Sequence, residues 1–69
     1  MAVINTVELE GVSQTSWGDA AREALREAAR TIRGITKLEV LGVRAKVQGD
    51  RITEYRTAVR LHFTVEPRR

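Results

Sequence analysis

The residues of this chain that could do chemistry are charged, and they recur at alternate positions along two strand-like runs. Lys37 and Glu39 lie in Ile35–Gln48, and Glu54, Arg56, Arg60 and His62 lie in Arg51–Val65. Side chains two residues apart on an extended backbone share a face, so each set points one way. Such a face can pair carboxylates with guanidinium groups or hold a small anion, and Glu39 and Arg60 read as a cross-strand ion pair. It is poorly equipped to run a reaction. His62 is the only histidine, so a three-histidine zinc site cannot come from one chain. The acidic residues lack EF-hand spacing, and any calcium would need carboxylates from several subunits. No nucleophile–base arrangement, phosphate-cradling glycine loop or paired-carboxylate motif is present. The chain is expected not to be an enzyme, and its metal ligands, if any, are not legible.

These charged positions are carried by a hairpin. Only Gly49-Asp50 separates the two runs, and that dipeptide permits a tight turn with positive φ. Pairing outward from Gln48 and Arg51 sets Val40 against Val59 and Leu38 against Leu61. Thr53, Tyr55, Thr57, Val59, Leu61, Phe63 and Val65 then form the face expected to pack on a helix. Opposite them, Leu41, Val43 and Val47 share a face with Lys37, Arg56, Arg60 and His62, while Arg44 points the other way unless a bulge re-aims it. A face that mixes such residues reads as a subunit interface with a polar cavity. Strands of this length span roughly 45 Å at about 3.3 Å per residue, whereas a globule of this size is about 25–30 Å across. The hairpin is too long for one chain to cover, which points to an obligate assembly.

Two further elements precede it. Val3, Val7 and Leu9 alternate with Thr6, Glu8 and Glu10, the pattern of a strand with one buried face; a turn is expected over Gly11–Thr15. Ser16 stands three residues before Asp19, an N-cap signature. From Trp17 to about Arg33, Ala21, Leu25, Ala28 and Ile32 recur at helical spacing, flanked by Trp17, Ala20, Ala24 and Ala29, and Gly34 is the expected stop. The expected fold class is therefore α+β with the order β-α-β-β, a single domain over 1–65 and a loosely ordered tail over 66–69.

With 69 residues and no cysteine, the core is marginal and no disulfide or thiolate–zinc framework can staple it. Oligomerisation is the remaining remedy. Nothing reads as a signal peptide or a membrane span, so a cytoplasmic protein is expected. Twelve basic and nine acidic residues give a net charge of +3, modest per chain but large when multiplied over an assembly. Trp17, Tyr55 and Phe63 are the only aromatics. That scarcity argues against a base-stacking surface, and a basic oligomer that binds nucleic acid is the least supported reading.

The order of these elements, with Val7-Glu8-Leu9-Glu10-Gly11, Ala28-Arg30-Thr31-Ile32, Leu38-Glu39-Val40, Val43-Arg44 and Glu54-Tyr55 at near gap-free spacing, resembles the dodecins over nearly the whole chain. The resemblance implies a hollow homododecamer that holds flavins (FMN or riboflavin) in pairs between subunits, near two-fold axes. A Trp that stacks on the isoalloxazine and a Gln that bonds its polar edge define that pocket. By position the Trp falls on Lys37 and the Gln on Arg56. Arg44 matches an Arg common in the family, for which an anion or nucleotide-phosphate role and a stack on Tyr55 both stand. Lys37 has no π-face and Arg56 no acceptor, so flavin binding is expected to be weakened or lost. Thr15-Ser16-Trp17 resembles a branch that lacks the stacking Trp, for which calcium is the proposed ligand. The expectation is a binding and storage shell for a small anionic ligand or ion; an ion-binding or purely structural dodecamer is the alternative.

Overall fold

A computed structural model describes residues 3–65; the expected tail over 66–69 lies outside the described residues. The elements follow the expected order: β1 (Val3–Ser13), α1 (Trp17–Ala29), β2 (Ile35–Gln48) and β3 (Arg51–Val65). They form one antiparallel sheet in the order β1-β3-β2. The central strand is thus the last in sequence, and β1 and β2 are its two edges.

One side of the sheet carries the helix. Val59 and Leu61 of β3 are fully buried beneath Ala20, Ala24 and Ala28, with Val7, Leu9, Leu25, Ile32 and Leu38 packed around them. The buried line of the helix runs along Ala20, Ala24 and Ala28, rotated from the expected stripe so that Ala21, Leu25 and Ile32 become its flank. Methyl-sized side chains let the helix backbone approach the sheet closely, and the approach is closest at Gly11. A Cβ built there would lie 1.8 Å from the Ala20 carbonyl oxygen. β1 therefore continues through Gly11 to Ser13 where a turn was expected, because the glycine is required by the helix above it and not by a bend.

The helix start is fixed by three hydroxyls. Ser16 Oγ accepts from the Asp19 amide at 3.0 Å, the expected N-cap, which satisfies one of the orphan donors of the first turn. Ser13 Oγ donates to Asp19 Oδ2 at 2.8 Å. Buried Thr57 donates to the Trp17 carbonyl at 2.8 Å. At the other end the helix stops at Ala29 with Arg30 as cap, short of the expected Arg33. Gly34 has the positive φ of a stop signal, +79°, but it lies four residues past the Arg30 cap and leads into β2, with its carbonyl accepting from the Thr64 amide at 3.1 Å.

The hairpin register explains which side chains share a face. Gln48 pairs with Arg51, and Leu38, Glu39 and Val40 pair with Leu61, Arg60 and Val59, all as expected. Between these ends the register slips by one. Lys46 faces Glu54, Ala45 faces Tyr55, Arg44 faces Arg56 and Val43 faces Thr57. Thr53 is the extra residue on β3 and Leu41 the extra residue on β2, so the two bulges cancel. Val43 moves to the helix side, and Arg44 joins Arg56 on the outer face.

The molecule measures 57 × 19 × 12 Å. A 13-residue helix covers about 20 Å of that length at 1.5 Å per residue. Val40, Val43 and Val65 on the helix side remain exposed, as do Ile4, Val12 and Leu41 on or beside the outer face.

Candidate functional site

The outer face of the sheet holds the charged residues, and all three strands contribute. On β3 lie Glu54, Arg56, Arg60 and His62. β2 adds Lys37, Glu39, Arg44 and Lys46. β1 adds Glu8 and Glu10, opposite Arg60 and Ala58 respectively. The pairing of β1 with β3 could not be read from the sequence, so these two carboxylates went unseen. Their alternation with Val7 and Leu9 was the available signal, because it already placed them away from the core.

The charges sort into two clusters along the sheet. In the first, Arg56 Nε donates to Glu54 Oε2 at 2.6 Å, and its Nη1 lies 3.9 Å from Glu10 Oε1. The other oxygen of Glu10 is 3.3 Å from Arg44 Nε. Arg44 and Arg56 are direct cross-strand neighbours, an arrangement of like charges that costs free energy, and Glu10 bridges them. Within the chain, Glu54 and Glu10 supply the carboxylates that face Arg56. The hydrogen bond and charge of Glu54, with help from Glu10, hold the Arg56 guanidinium still more firmly protonated.

In the second cluster, Arg60 donates to Glu8 Oε2 from Nε and Nη2 at 3.1 and 2.9 Å, and from Nη1 to Glu39 Oε1 at 3.5 Å. This includes the expected Glu39–Arg60 pair. The same Glu39 oxygen is 2.8 Å from His62 Nε2. The hydrogen bond from His62, then the charge of Arg60, hold the Glu39 carboxyl below its ordinary range.

Lys37 faces His62 across the strands and is exposed. Among the described residues it has no ion-pair partner within 4.0 Å. It lies beside an open groove of about 480 Å³ formed by Leu25, Ala29, Ile32, Ile35 and Leu38. The structure therefore places Arg44 and Arg56 together and Lys37 apart. His62 and Arg56 are six residues apart on β3, so Lys37 and Arg56 are separated by roughly 20 Å at about 3.3 Å per residue. One chain cannot close a small pocket with both; a pocket that uses both must join two copies.

Trp17 has a role that helical periodicity did not disclose. Its indole packs edge-to-face on Tyr55, with ring centroids 4.9 Å apart and planes at 87°. Its Nε1 donates to the Arg44 carbonyl at 3.0 Å. Trp17 thus occupies the Tyr55 ring that was one candidate partner for Arg44, and it caps an edge-strand carbonyl in the bulged stretch of β2. The Arg44 side chain turns to Glu10 instead.

Among the described residues no group of three or more His, Asp or Glu side chains is placed to hold a metal ion. No described helix is long and apolar enough to cross a membrane. Glu8, Glu10, Glu39 and Glu54 are each engaged by an arginine, so a cation at the outer face would compete with those pairs.

Several solved structures share this fold. The tt0972 protein from Thermus thermophilus is 28% identical, with a TM-score of 0.92 over 99% of this chain and 100% of that one. A single-substitution variant of the T. thermophilus dodecin is also 28% identical, with a TM-score of 0.91 over 97% and 100% of the two chains. Dodecin from Streptomyces coelicolor shares the fold at 24% identity, with a TM-score of 0.90 over 97% and 96%. No functionally curated protein matches the sequence. The family model of Dodecin matches residues 3–66, nearly the whole length over which the two clusters and the hairpin are built, and the chain belongs to the dodecin family.

Proposed function

We propose that this protein is a cytoplasmic binding and storage shell, a hollow homododecamer with small-ligand sites between its subunits, in which flavin binding is weakened or lost. The observation that carries the reading is the outer face, where Ile4, Val12 and Leu41 are exposed around charge clusters that are already internally paired. Full burial of an aliphatic side chain is worth about 1.5–3 kcal/mol, and internally neutralised charges are cheaper to enclose than bare ones. Such a face favours contact with another copy of itself over contact with water.

The substituted positions do not fit an isoalloxazine ring. Lys37 provides a cation where stacking needs an aromatic surface, and the Arg56 guanidinium, a donor only, is committed to Glu54 and Glu10. A small anionic ligand near Lys37 suits the chemistry better. Arg44 is a further candidate contact, since the bulge at Leu41 brings it onto the same face as Arg56. The absence of a nucleophile–base arrangement supports binding and not catalysis.

The test is the native mass and visible spectrum of the protein as purified. The expected result is a particle of about twelve chains without the yellow absorbance that a bound flavin supplies. A folded species of 7.7 kDa at micromolar concentration would overturn the shell. A stoichiometric flavin would overturn the reading of Lys37 and Arg56. The alternative, a calcium-holding or purely structural dodecamer, would share the mass and differ in metal content and anion binding.

A further inference from the structure

We propose that the groove at the start of β2 is a binding site for an amphipathic monocarboxylate, a small acid whose apolar body lies on the groove wall while its carboxylate meets Lys37. The proposal rests on the small-anion reading of Lys37 and names the class of anion.

The groove is built within one chain, from a mismatch between helix and sheet. The helix packs over β1 and β3 and barely reaches β2, so the first residues of that edge strand lie beside it uncovered. Leu25, Ala29 and Ile32 line the groove from the helix side. Ile35 and Leu38 line it from β2, and both pack against the core. On a regular strand, residues three apart face opposite ways. A bulge at Thr36 removes that conflict: Ile35 pairs with Phe63 and Lys37 with His62, which leaves Thr36 as the extra residue and re-aims the strand. Thr36 and Lys37 are thereby set between two core-facing residues, and both line the groove. A space of about 480 Å³ walled by aliphatic side chains, with a few polar groups at one side, has the make-up of a small-molecule site.

Those polar groups select the sign of the ligand. Lys37 brings a full positive charge and Thr36 a hydroxyl. Among the described residues no carboxylate lines the groove, and none lies within 4.0 Å of the Lys37 amino group, since Glu39 is held by His62 and Arg60. The helix C-terminus nearby carries partial negative charge, but the Glu27 and Ala28 carbonyls already accept from the Arg30, Thr31 and Ile32 amides. One unpaired cation beside an aliphatic wall complements one negative charge on an apolar body. Inorganic phosphate would meet the cation but gain nothing from Leu25, Ile32 and Leu38.

The experiment titrates the protein with hexanoate, octanoate, octanamide and inorganic phosphate by calorimetry. Octanoate should bind about fivefold or more tighter than hexanoate, because a fully buried methylene is worth close to fourfold and this groove is open on one side. Lys37→Gln should weaken octanoate by about tenfold, the loss of one charge-assisted hydrogen bond, and leave octanamide unchanged. Arg51→Gln, which removes an exposed cation at the far end of the hairpin, should leave octanoate unchanged. Ala29→Trp, at an exposed position, should fill the groove and weaken octanoate and octanamide alike. Equal losses in Lys37→Gln and Arg51→Gln overturn the site. Phosphate bound as tightly as octanoate, and lost in Lys37→Gln, keeps the small-anion reading and overturns the amphipathic class. No effect of Lys37→Gln on any anion overturns both. A monomer that binds octanoate through Lys37 overturns the shell and supports the site, which one chain completes.

Discussion

Gly11→Ala is expected to destabilise the subunit by at least about 3 kcal/mol, at or beyond the upper end of ordinary overpacking. The added methyl would stand 1.8 Å from the Ala20 carbonyl oxygen and 2.7 Å from its carbon, and both are backbone atoms of a helix that cannot rotate away. Relief requires the helix to lift from the sheet, which would open the contact over Val59 and Leu61. For a chain of this size that loss corresponds to a fall of roughly 12 °C or more in Tm. Gly42→Ala is the matched control, since nothing lies within 4 Å of a Cβ there, and its effect should stay within about 0.5 kcal/mol. Thermal and urea unfolding of the two variants checks both. Equal effects would mean that the helix does not sit as close to β1 as the carbonyl contact requires.

The contrast between these glycines also shows where sequence reasoning succeeds and fails. Alternation fixes which residues can share a face, and the Gly49-Asp50 turn fixes where pairing starts. Together they give Leu38 opposite Leu61, Glu39 opposite Arg60 and Val40 opposite Val59. The middle of the hairpin is misread because two bulges of opposite sense, at Thr53 and Leu41, slip the register and then restore it. The open end slips as well, at Thr36, which sets Ile35 opposite Phe63 and against the core where unbroken pairing from the turn puts it opposite Thr64 on the outer face. A pattern argument has no internal warning of such slips. The one signal was Gly42, since glycine in a strand interior often marks a bulge. It decides more than packing, because it moves Arg44 from the helix side to the side of Arg56 and so changes which cations form the candidate site.

The missing carboxylates have a different origin. Local alternation shows that Glu8 and Glu10 point away from the core, but not which strand β1 lies against, a choice made by the helix that connects it to the hairpin. Read without β1, the outer face seems to hold too few carboxylates and to need a neighbour's carboxylate or an anion at Arg56. With β1 beside β3, Glu8 serves Arg60 and Glu10 bridges Arg44 and Arg56. The outer face is then less basic than composition suggests, which further weakens the case for nucleic acid. Lys37 and Lys46 are the outer-face cations with no ion pair among the described residues, and Lys37 lines the groove of Leu25, Ile32 and Leu38.

Replacing Lys37 by Trp and Arg56 by Gln together is expected to raise riboflavin affinity at least about tenfold over the unmodified protein. An aromatic contact is worth roughly 0.5–1.5 kcal/mol beyond area burial, a pocket that holds paired flavins would gain two, and about 1.4 kcal/mol is a factor of ten. Gln returns an acceptor that Arg lacks. Because Lys37 and Arg56 lie roughly 20 Å apart on one chain, by the rise of about 3.3 Å per strand residue, the two substitutions would act on one pocket only if different subunits supply them. Lys37→Trp alone should recover most of the gain, since it supplies the stacking surface. Arg56→Gln alone should recover little, and it frees Glu54 and Glu10 of their partner. Quenching of flavin fluorescence on titration measures each. Tight binding by the unmodified protein would mean that another residue supplies the stacking surface, and the exposed Trp17 could not do so without leaving Tyr55 and the Arg44 carbonyl.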